Sequence, residues 1–319
     1  AVWKAPDAPT TGVVMAEPKP EAVKLVLAGG RPGGGLALQL EAIAKAIMKG
    51  APSYQVTNLP GSTVSVMKRM GAGRVDMAPA SAPNAIIAAS GGEPYGKPVA
   101  ARAICATALH YAQFRVLAKT GITSVKDLIA KKYPLKFSVG PVHSNPETGV
   151  RAILSAYGIT YKDIESWGGR VHFRPSSPGT AMMADGTADA IFYVSGVPDP
   201  KILELSRTRK LRMLPIAEPE VLNALEKAGL VKSAIRANTY NFVKEDIPTV
   251  QTDHLLLCRP DLPEEVVYQI TKAIAMNTSY LSSVHKVFKS LTPKYMAECR
   301  RFVTLHPGAE RFYREKGLL

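Results

Sequence analysis

Long apolar runs are missing from this 319-residue sequence. Lys, Arg, Gly or Pro interrupts every hydrophobic stretch before the roughly eighteen residues that a membrane-spanning helix needs. Familiar catalytic and metal-binding motifs are missing too, since the chain has no GxSxG, HExxH or CxxC, and its six histidines lie far apart without ligand spacing. These absences exclude a membrane-spanning chain and disfavour a hydrolase or a metalloenzyme. We expect no catalytic residue, no metal site and no cofactor.

Cysteine is scarce, with only Cys105, Cys258 and Cys299 at long spacings. Three is an odd number, so at least one thiol has no partner within the chain. We expect these residues to act as small core side chains, above all Cys258 in its LLLC context. The thiols do not identify the cellular compartment.

Acidic residues are in deficit, with 26 Asp and Glu against 40 Lys and Arg and a net charge of +14. This excess favours encounter with anions through the summed field of the protein. The basic residues are scattered, the cluster Arg207–Lys210 is short, and no aromatic platform accompanies it, which disfavours nucleic acid as the partner. With 46% hydrophobic and 21% charged residues, the composition is typical of a soluble globular protein with room for two domains.

The first twenty residues predict a flexible leader. They contain Pro6, Pro9, Pro18 and Pro20 and show neither a helical nor an alternating pattern. The chain has no initiator Met, and its opening lacks the basic, apolar and small-residue layout of a signal peptide. We therefore expect a mature protein whose signal peptide has been removed.

After the leader, predicted strands and helices alternate. Val23–Gly30 reads as a strand that ends in glycines, and Leu36–Gly50 as a helix with apolar residues at helical spacing. A similar unit recurs in the middle of the chain, where KFSVGP predicts a strand and GVRAILSAYGI a helix. Two such units predict two lobes with parallel sheets. We expect Ile104–Ile122 to make the first crossing between the lobes, and the return crossing to precede a strand at Thr252–Cys258.

Several segments match one protein family in order, from about Lys24 to the C-terminus. They are VKDL, SVGPVHSNPETGVRAILSAYGI, ADAIFYVSGVPDPKILEL, Thr249–Ile274 and Leu305–Leu319. On these segments the chain resembles the TAXI-type solute-binding proteins of TRAP transporters. The resemblance implies an α/β fold of the two-lobed type II periplasmic binding protein class, with a ligand cleft between lobes joined by a hinge. Residues 21–115 and 245–319 would form a discontinuous first lobe, and residues 116–244 the second.

Candidate site residues lie at strand ends, because ligands of open α/β sheets collect where helix N-termini present unpaired N–H groups. Five segments fit, namely Gly29–Gly35, Pro60–Val64, Ala78–Asn84, Gly140–Glu147 and Tyr193–Pro198. Glycine allows backbone approach to a small anion, and Ser, Thr and Asn supply hydrogen bonds. The predicted ligand-binding residues are Arg31, Gly33, Gly34, Ser62, Thr63, Ser81, His143, Ser144, Asn145, Tyr193 and Ser195.

The glycine-rich loop departs from the pattern that it resembles. Arg31 and Pro32 stand where the family's GTGSTGG loop has Ser and Thr. A guanidinium binds a carboxylate or phosphate bidentately, so Arg31 is either an added anion clamp or an exposed loop arginine. Ser81 stands where the family often has Gln, and the shorter side chain suggests a larger or differently shaped ligand.

Two serines keep the family pattern while their neighbours change. Ser62 matches the Ser of a GGS turn, where a hydroxyl is also suited to capping the next helix. Ser144 matches the Ser of a GSGTE run, whereas His143, Asn145 and Pro146 replace Gly, Gly and Thr. We expect Ser62 and Ser144 to donate hydrogen bonds to the ligand from opposite lobes.

The resemblance implies a function in transport rather than catalysis. The protein would capture a small organic anion, such as an amino acid or a dicarboxylate, outside the cytoplasmic membrane and deliver it to a TRAP-type permease. It implies a periplasmic monomer, with a membrane tether left open. The same fold also serves as a ligand-sensing module of signalling receptors, and that alternative stays open. An enzyme on this fold is disfavoured, because no nucleophile with a base and no paired carboxylates emerge from the motifs.

Overall fold

The computed structural model describes residues 22–32 and 34–319. The predicted leader and the predicted ligand residue Gly33 lie outside the described residues. Within them, strands and helices alternate along most of the chain, as the sequence predicts. The amino-terminal elements are β1 (Val23–Ala28), α1 (Gly35–Gly50), β2 (Tyr54–Leu59), α2 (Thr63–Gly71), β3 (Met77–Ser81), α3 (Ala82–Ser90) and β4 (Arg102–Leu117).

The remaining elements continue this alternation and end in a run of helices. The middle of the chain holds α4 (Val125–Ala130), β5 (Lys136–Val139), α5 (Asn145–Ala156), α6 (Tyr161–Ser166), β6 (Arg170–Phe173), α7 (Ser176–Asp185), β7 (Ala190–Ser195), α8 (Pro200–Thr208), β8 (Leu211–Leu214), α9 (Pro219–Lys227) and β9 (Val231–Ile235). The carboxy-terminal part holds β10 (Ile247–Cys258), α10 (Glu264–Met276), α11 (Thr278–Val284), α12 (Pro293–Met296) and α13 (Pro307–Glu315).

All the strands join one sheet, whose main path runs β2-β1-β3-β10-β4-β7-β5-β6. The pairs at both ends are parallel, β1 with β2 and β3, and β5 with β6 and β7. In the centre, β10 and β4 run antiparallel to each other and to their neighbours β3 and β7. The two long central strands therefore join the parallel half around β1 to the parallel half around β5.

The crossing between the halves consists of two long strands whose bounds differ from the predicted ones. The segment expected to cross, Ile104–Ile122, contains most of β4, a single strand of 16 residues. The return strand β10 begins at Ile247, five residues before the predicted Thr252, because its first residues pair with β9 rather than with β3. Both strands thus contribute to each half of the sheet.

The buried apolar residues divide at the same crossing. One core packs on β1–β3 and includes Ala106 of β4 and Leu255 of β10, while a second packs on β5–β7 and includes Ala112 and Val250 of the same two strands. A third cluster covers the other face of the second half. We call the halves around β1–β3 and β5–β7 the first and second lobe, and the predicted two-lobed α/β architecture is confirmed.

Local sequence signals explain how helices begin beside the strand ends. Ser144 caps α5 by accepting from the backbone N–H of Glu147, and Pro146 follows in the first turn, where its missing N–H costs nothing. Asp199 caps α8 in the same way, and Pro200 follows it. The helices that follow strands are thus anchored at the edge where ligand-binding loops of such sheets lie.

The three cysteines are buried and form no disulfide, as expected of small core side chains. Among the described helices, none combines the length and apolar character needed to cross a membrane.

Candidate functional site

The first lobe presents three helix N-termini along one edge of its parallel strands. Helices α1, α2 and α3 follow β1, β2 and β3, and none of their first turns carries an acidic residue. The first turns of α4, α5, α6 and α10 each contain Asp or Glu, whereas those of α7 and α8 in the second lobe contain neither, although Asp199 caps α8. The partial positive charge of the first three N-termini is therefore not neutralised from within the helices, and this edge is electrostatically suited to an anion.

The predicted glycine-rich loop and the Ser62 turn lie side by side on this edge. Gly61 N–H donates to the carbonyl of Gly30 at 2.9 Å, which joins the two turns. Gly30 has φ +72°, and a Cβ there would lie 2.6 Å from the backbone nitrogen of Ala37, so the site requires glycine. Arg31 is exposed, and no ion pair to it is formed by the described residues. Its guanidinium is free to meet a ligand.

The capping positions of these helices differ in how they are filled. Gly34 is the N-cap of α1 and has no side chain to offer. Ser62 caps α2 by accepting from Ser65 N–H at 3.4 Å, and the next residue, Thr63, is buried. Ser81 precedes α3, yet its hydroxyl makes no capping bond. The start of α3 therefore finds its partners elsewhere.

Those partners come from the second lobe. Asn145 Oδ1 accepts from Ser81 N–H at 3.1 Å and from Asn84 Nδ2 at 2.9 Å. Thr148, one turn along α5, approaches Asn84 Oδ1 at 3.4 Å. All four residues are at most 4% exposed, so water does not compete for these bonds. We call Ser81, Asn84, Tyr95, Asn145 and Thr148 the interlobe polar cluster.

The orientation of the Asn84 carboxamide follows from its neighbours. The hydroxyls of Tyr95 and Thr148 both lie 3.4 Å from Oδ1 and donate to it. The Nδ2 group consequently faces the other way, towards Ser81 Oγ at 3.2 Å and Asn145 Oδ1. Burial raises the pKa of Tyr95, which keeps its hydroxyl protonated as a donor. The cluster thus holds a fixed pair of donors at the start of α3.

The N-terminus of α5 is neutralised by its own glutamate. The buried Glu147 carboxylate accepts from His143 N–H at 2.9 Å and from the Tyr161 hydroxyl at 3.1 Å, and it pairs with Arg151 Nε at 3.2 Å. His143 has φ +59°, a conformation that favours glycine, and its Nδ1 is buried with no partner among the described residues. Ser144 Oγ caps the helix at 3.5 Å. The predicted residues of this loop thus stabilise the loop itself.

The two predicted residues on β7 are held inside the second lobe. The Tyr193 hydroxyl donates to the carbonyl oxygens of Val139 and Arg174, and the residue is buried. Ser195 Oγ accepts from Gln113 Nε2 at 3.0 Å and is partly exposed. Within the described residues, no hydrogen bond joins either residue to the interlobe polar cluster.

Behind Ser195 lies a chain of buried polar groups. Gln113 Oε1 accepts from the Tyr240 hydroxyl at 2.6 Å, and that hydroxyl also accepts from Asp199 N–H at 2.8 Å. Asp199 in turn lies 3.5 Å from Nη1 of Arg115, whose side chain is fully buried. Two further nitrogens of Arg115, Nε and Nη2, have no partner among the described residues. This chain links the strand-end loop to the crossing strand β4.

Two surface clefts flank the site, and their charges differ. A cleft of about 260 Å³ beside the glycine-rich loop includes Glu41, whose carboxylate disfavours an anion. A wider groove of about 620 Å³ is lined by Ile86, Glu226, Lys227, Val231, Lys232, Arg301 and Phe302. Ile86 lies two residues beyond Asn84 on α3, about 200° round the helix, so this groove and the interlobe polar cluster lie on opposite sides of α3.

Sequence reasoning missed the residues that complete the cluster. Asn84 ends a segment predicted to be a ligand loop, and Asn145 is a predicted site residue, but Tyr95 and Thr148 carry no local signal. The available signal was positional, since Asn84 follows the N-cap Ser81 by three residues and so shares its side of the helix start. Within the described residues, no group of three or more His, Cys, Asp or Glu side chains is arranged to hold a metal ion.

Solved structures with a similar fold include a protein with bound malate, a periplasmic binding protein and a component of a phosphonate transporter. MatC from Rhodopseudomonas palustris with bound malate is 11% identical, with a TM-score of 0.55 over 93% of this chain and 99% of that chain. Periplasmic binding protein BugD is 10% identical, with a TM-score of 0.53 over 92% and 98% of the two chains. A binding protein component of an ABC phosphonate transporter from Pseudomonas aeruginosa is 13% identical, with a TM-score of 0.52 over 82% and 78%. At these identities the likeness establishes the fold.

The family is established by a separate match in sequence. The model of the NMT1-like family matches residues 31–317, which is nearly the whole chain and includes both lobes. The chain therefore belongs to the NMT1-like family.

Proposed function

We propose that this protein is an extracytoplasmic solute-binding protein of the TAXI type, which captures a small organic anion and delivers it to a TRAP-type membrane permease. The observation that carries the proposal is the set of helix N-termini along the edge of the first lobe, without acidic residues in their first turns. A carboxylate placed there gains from the helix dipoles and from hydrogen bonds to N–H groups of the helix starts. The net charge of +14 adds long-range attraction for anions.

The ligand class is a carboxylate such as an amino acid or a dicarboxylate. The donors at the site are backbone N–H groups and amide nitrogens, which suit a small oxyanion, and Arg31 offers a bidentate partner at the exposed end. The malate bound to MatC, a protein of the same fold, is consistent with this class. Binding involves no covalent step, no cofactor and no metal.

Transport would proceed by closure of the two lobes around the ligand. We propose residues 21–115 with 245–319, and residues 116–244, as the moving bodies, because the buried cores divide along β4 and β10. A ligand stabilises the closed state only by the difference between its affinities for the closed and open states. The monomer would present this closed form to the permease in the periplasm.

The test is a thermal-shift screen of the purified protein with L-malate, succinate, L-glutamate and neutral sugars, preceded by native mass spectrometry to detect a retained ligand. A carboxylate at a hundredfold excess over its dissociation constant stabilises the folded state by about 2.7 kcal/mol. Stabilisation by sugars alone would exclude the anion. Replacing Glu226 by Lys together with Lys227 by Glu is the matched control, because the pair keeps the net charge and we expect the groove that these residues line to leave carboxylate affinity unchanged.

A further inference from the structure

The first donors of α3 converge on a single oxygen atom that belongs to the opposite lobe. Ser81 N–H and Asn84 Nδ2 reach Asn145 Oδ1 at 3.1 and 2.9 Å. Two N–H donors that meet one oxygen at a helix N-terminus are the environment of a bound carboxylate or phosphate oxygen. The protein supplies this oxygen from its own side chain.

The donor pair is also held in place by contacts other than that with its acceptor. The hydroxyls of Tyr95 and Thr148 occupy the carbonyl side of Asn84, so its Nδ2 group is held towards Asn145. The first turn of α3 contains no acidic residue, and the carboxamide of Asn145 brings no charge. The hydrogen bonds of this helix N-terminus are therefore satisfied, but its partial positive charge is not neutralised. A carboxylate oxygen in the same position forms charge-assisted bonds, which are the stronger kind.

We propose that Asn145 is a built-in competitor of the ligand, whose oxygen closes the two lobes by taking the acceptor position that a ligand carboxylate takes. This rests on the proposed function and adds to it the donor atoms, namely the backbone N–H of Ser81 and Nδ2 of Asn84. To bind, a carboxylate displaces the Asn145 oxygen and exchanges a neutral acceptor for a charged one. The arrangement held by Asn145 is closed without ligand and is distinct from the state that closes around the ligand, so it lowers the apparent affinity by the fraction of molecules in which it forms.

The sign of the effect separates this role from a simple ligand contact. If Asn145 donated to the ligand, its loss would weaken binding. As a competitor, its loss strengthens binding, by about tenfold where the net contribution of the displaced bonds is about 1.4 kcal/mol. Asn145→Asp keeps the shape of the side chain but adds a carboxylate at the position of the anion. We expect it to weaken binding by about tenfold or more.

The first experiment follows amide hydrogen exchange in buffer without an added organic anion. Asn145→Ala is expected to accelerate exchange of the Ser81 amide about tenfold, whereas amides in the middle of β10 keep the wild-type rate. Asn145→Asp, which retains an acceptor of the same shape, is expected to keep the Ser81 amide protected. The control is Ser155→Ala, an exposed position on the same helix. An unchanged rate at Ser81 in Asn145→Ala overturns the proposal.

The second experiment titrates L-malate and L-glutamate into the three variants and wild type by calorimetry. Tighter binding to Asn145→Ala and weaker binding to Asn145→Asp support the competitor, while weaker binding to Asn145→Ala overturns it. Should wild type and Asn145→Ala bind neither probe, the assignment of these carboxylates as ligands fails. The exchange result still decides whether Asn145 closes the lobes, so the two failures are distinguishable.

Discussion

The rings of His110 and His254 lie against each other where the two long strands pass between the lobes, with ring centroids 3.8 Å apart and ring planes tilted by 42°. His254 lies on β10 beside Ser81 of β3, so the pair adjoins the interlobe polar cluster. Burial lowers the pKa of His254 to about 4. Burial, with His254 and His285 nearby, also lowers the pKa of His110 well below its ordinary value. Both rings are therefore neutral at pH 7.

This pair predicts that acid destabilises the protein. The unfolded chain binds a proton at each histidine near pH 6.5, whereas the folded His254 does so only near pH 4. The stability that depends on a neutral His254 is fully present above about pH 6.5. It is lost progressively as the pH falls towards 4, because the unfolded chain then binds a proton that the folded protein does not. The difference amounts to roughly 3 kcal/mol, at about 1.4 kcal/mol for each pKa unit. Burial raises the pKa of Asp253, which acts in the opposite direction.

Urea unfolding between pH 7.5 and 4.5 measures this dependence. His254→Gln removes one of the two titrating rings, so the free energy of unfolding should fall less steeply with acid in the variant than in wild type. Equal slopes for the two proteins would show that His254 is not the source of the acid sensitivity.

The alternating architecture is predictable from the sequence because its signals are local. The strand Val23–Ala28 ends in glycines, and the helix Gly35–Gly50 shows apolar residues at helical spacing, so each is recognisable without its neighbours. The single sheet is less predictable, because pairing between β4 and β10 joins residues that are more than a hundred positions apart. The sequence therefore indicates two lobes but not the strands that they share.

The buried polar residues of β4 illustrate a second limit of prediction from the sequence. Gln113 and Arg115 alternate with Ala112 and Phe114 along β4, a pattern typical of a strand with one face in solvent. In the structure, helices α7 and α8 cover the second face, so both polar residues are buried. Whether a face is covered depends on the tertiary fold, and a single sequence does not reveal it. At Asn145 the departure from the family pattern was visible, but its contact with Asn84 was not.

Arg31 is predicted to act as a clamp on the ligand carboxylate. It is exposed beside the N-terminus of α1, and among the described residues no carboxylate pairs with it. Arg31→Lys keeps the charge but loses the planar fork, so it should bind L-malate or L-glutamate more weakly than wild type. Arg31→Ser should bind more weakly still. Calorimetric titration measures both affinities.

Salt separates a clamp from long-range attraction. A difference in affinity that disappears at high salt would reflect steering of the anion by the field of the protein. Affinities within about 0.5 kcal/mol of wild type at low and high salt alike would identify Arg31 as an ordinary surface residue.

Ser62 and Ser144 are predicted to bind ligand while they cap α2 and α5. Each hydroxyl caps its helix as an acceptor, at 3.4 Å for Ser62 and 3.5 Å for Ser144, so its proton remains free to donate. Substitution by Ala should lower the free energy of unfolding by about 1 kcal/mol, the usual effect of losing an N-cap. It should also weaken carboxylate binding by about 0.5 to 3 kcal/mol.

Gly at either position is the useful comparison, since it restores much of the capping preference but no hydroxyl. A Gly variant with near-wild-type stability and weak binding supports the ligand contact. Unchanged affinity in the Ala and Gly variants at both positions places the ligand elsewhere.

The buried pair of Arg115 and Asp199 predicts strong coupling between two substitutions. Arg115→Met leaves the Asp199 carboxylate buried without its cation, and we expect a loss of about 3 to 5 kcal/mol of stability. Asp199→Asn strands the guanidinium in the same way, although Asn still caps α8. The double variant removes both charges, so its loss of stability should be smaller than the sum of the two single losses. Urea unfolding of the four proteins gives the coupling energy, and additive losses would mean that the 3.5 Å contact contributes no pairing energy.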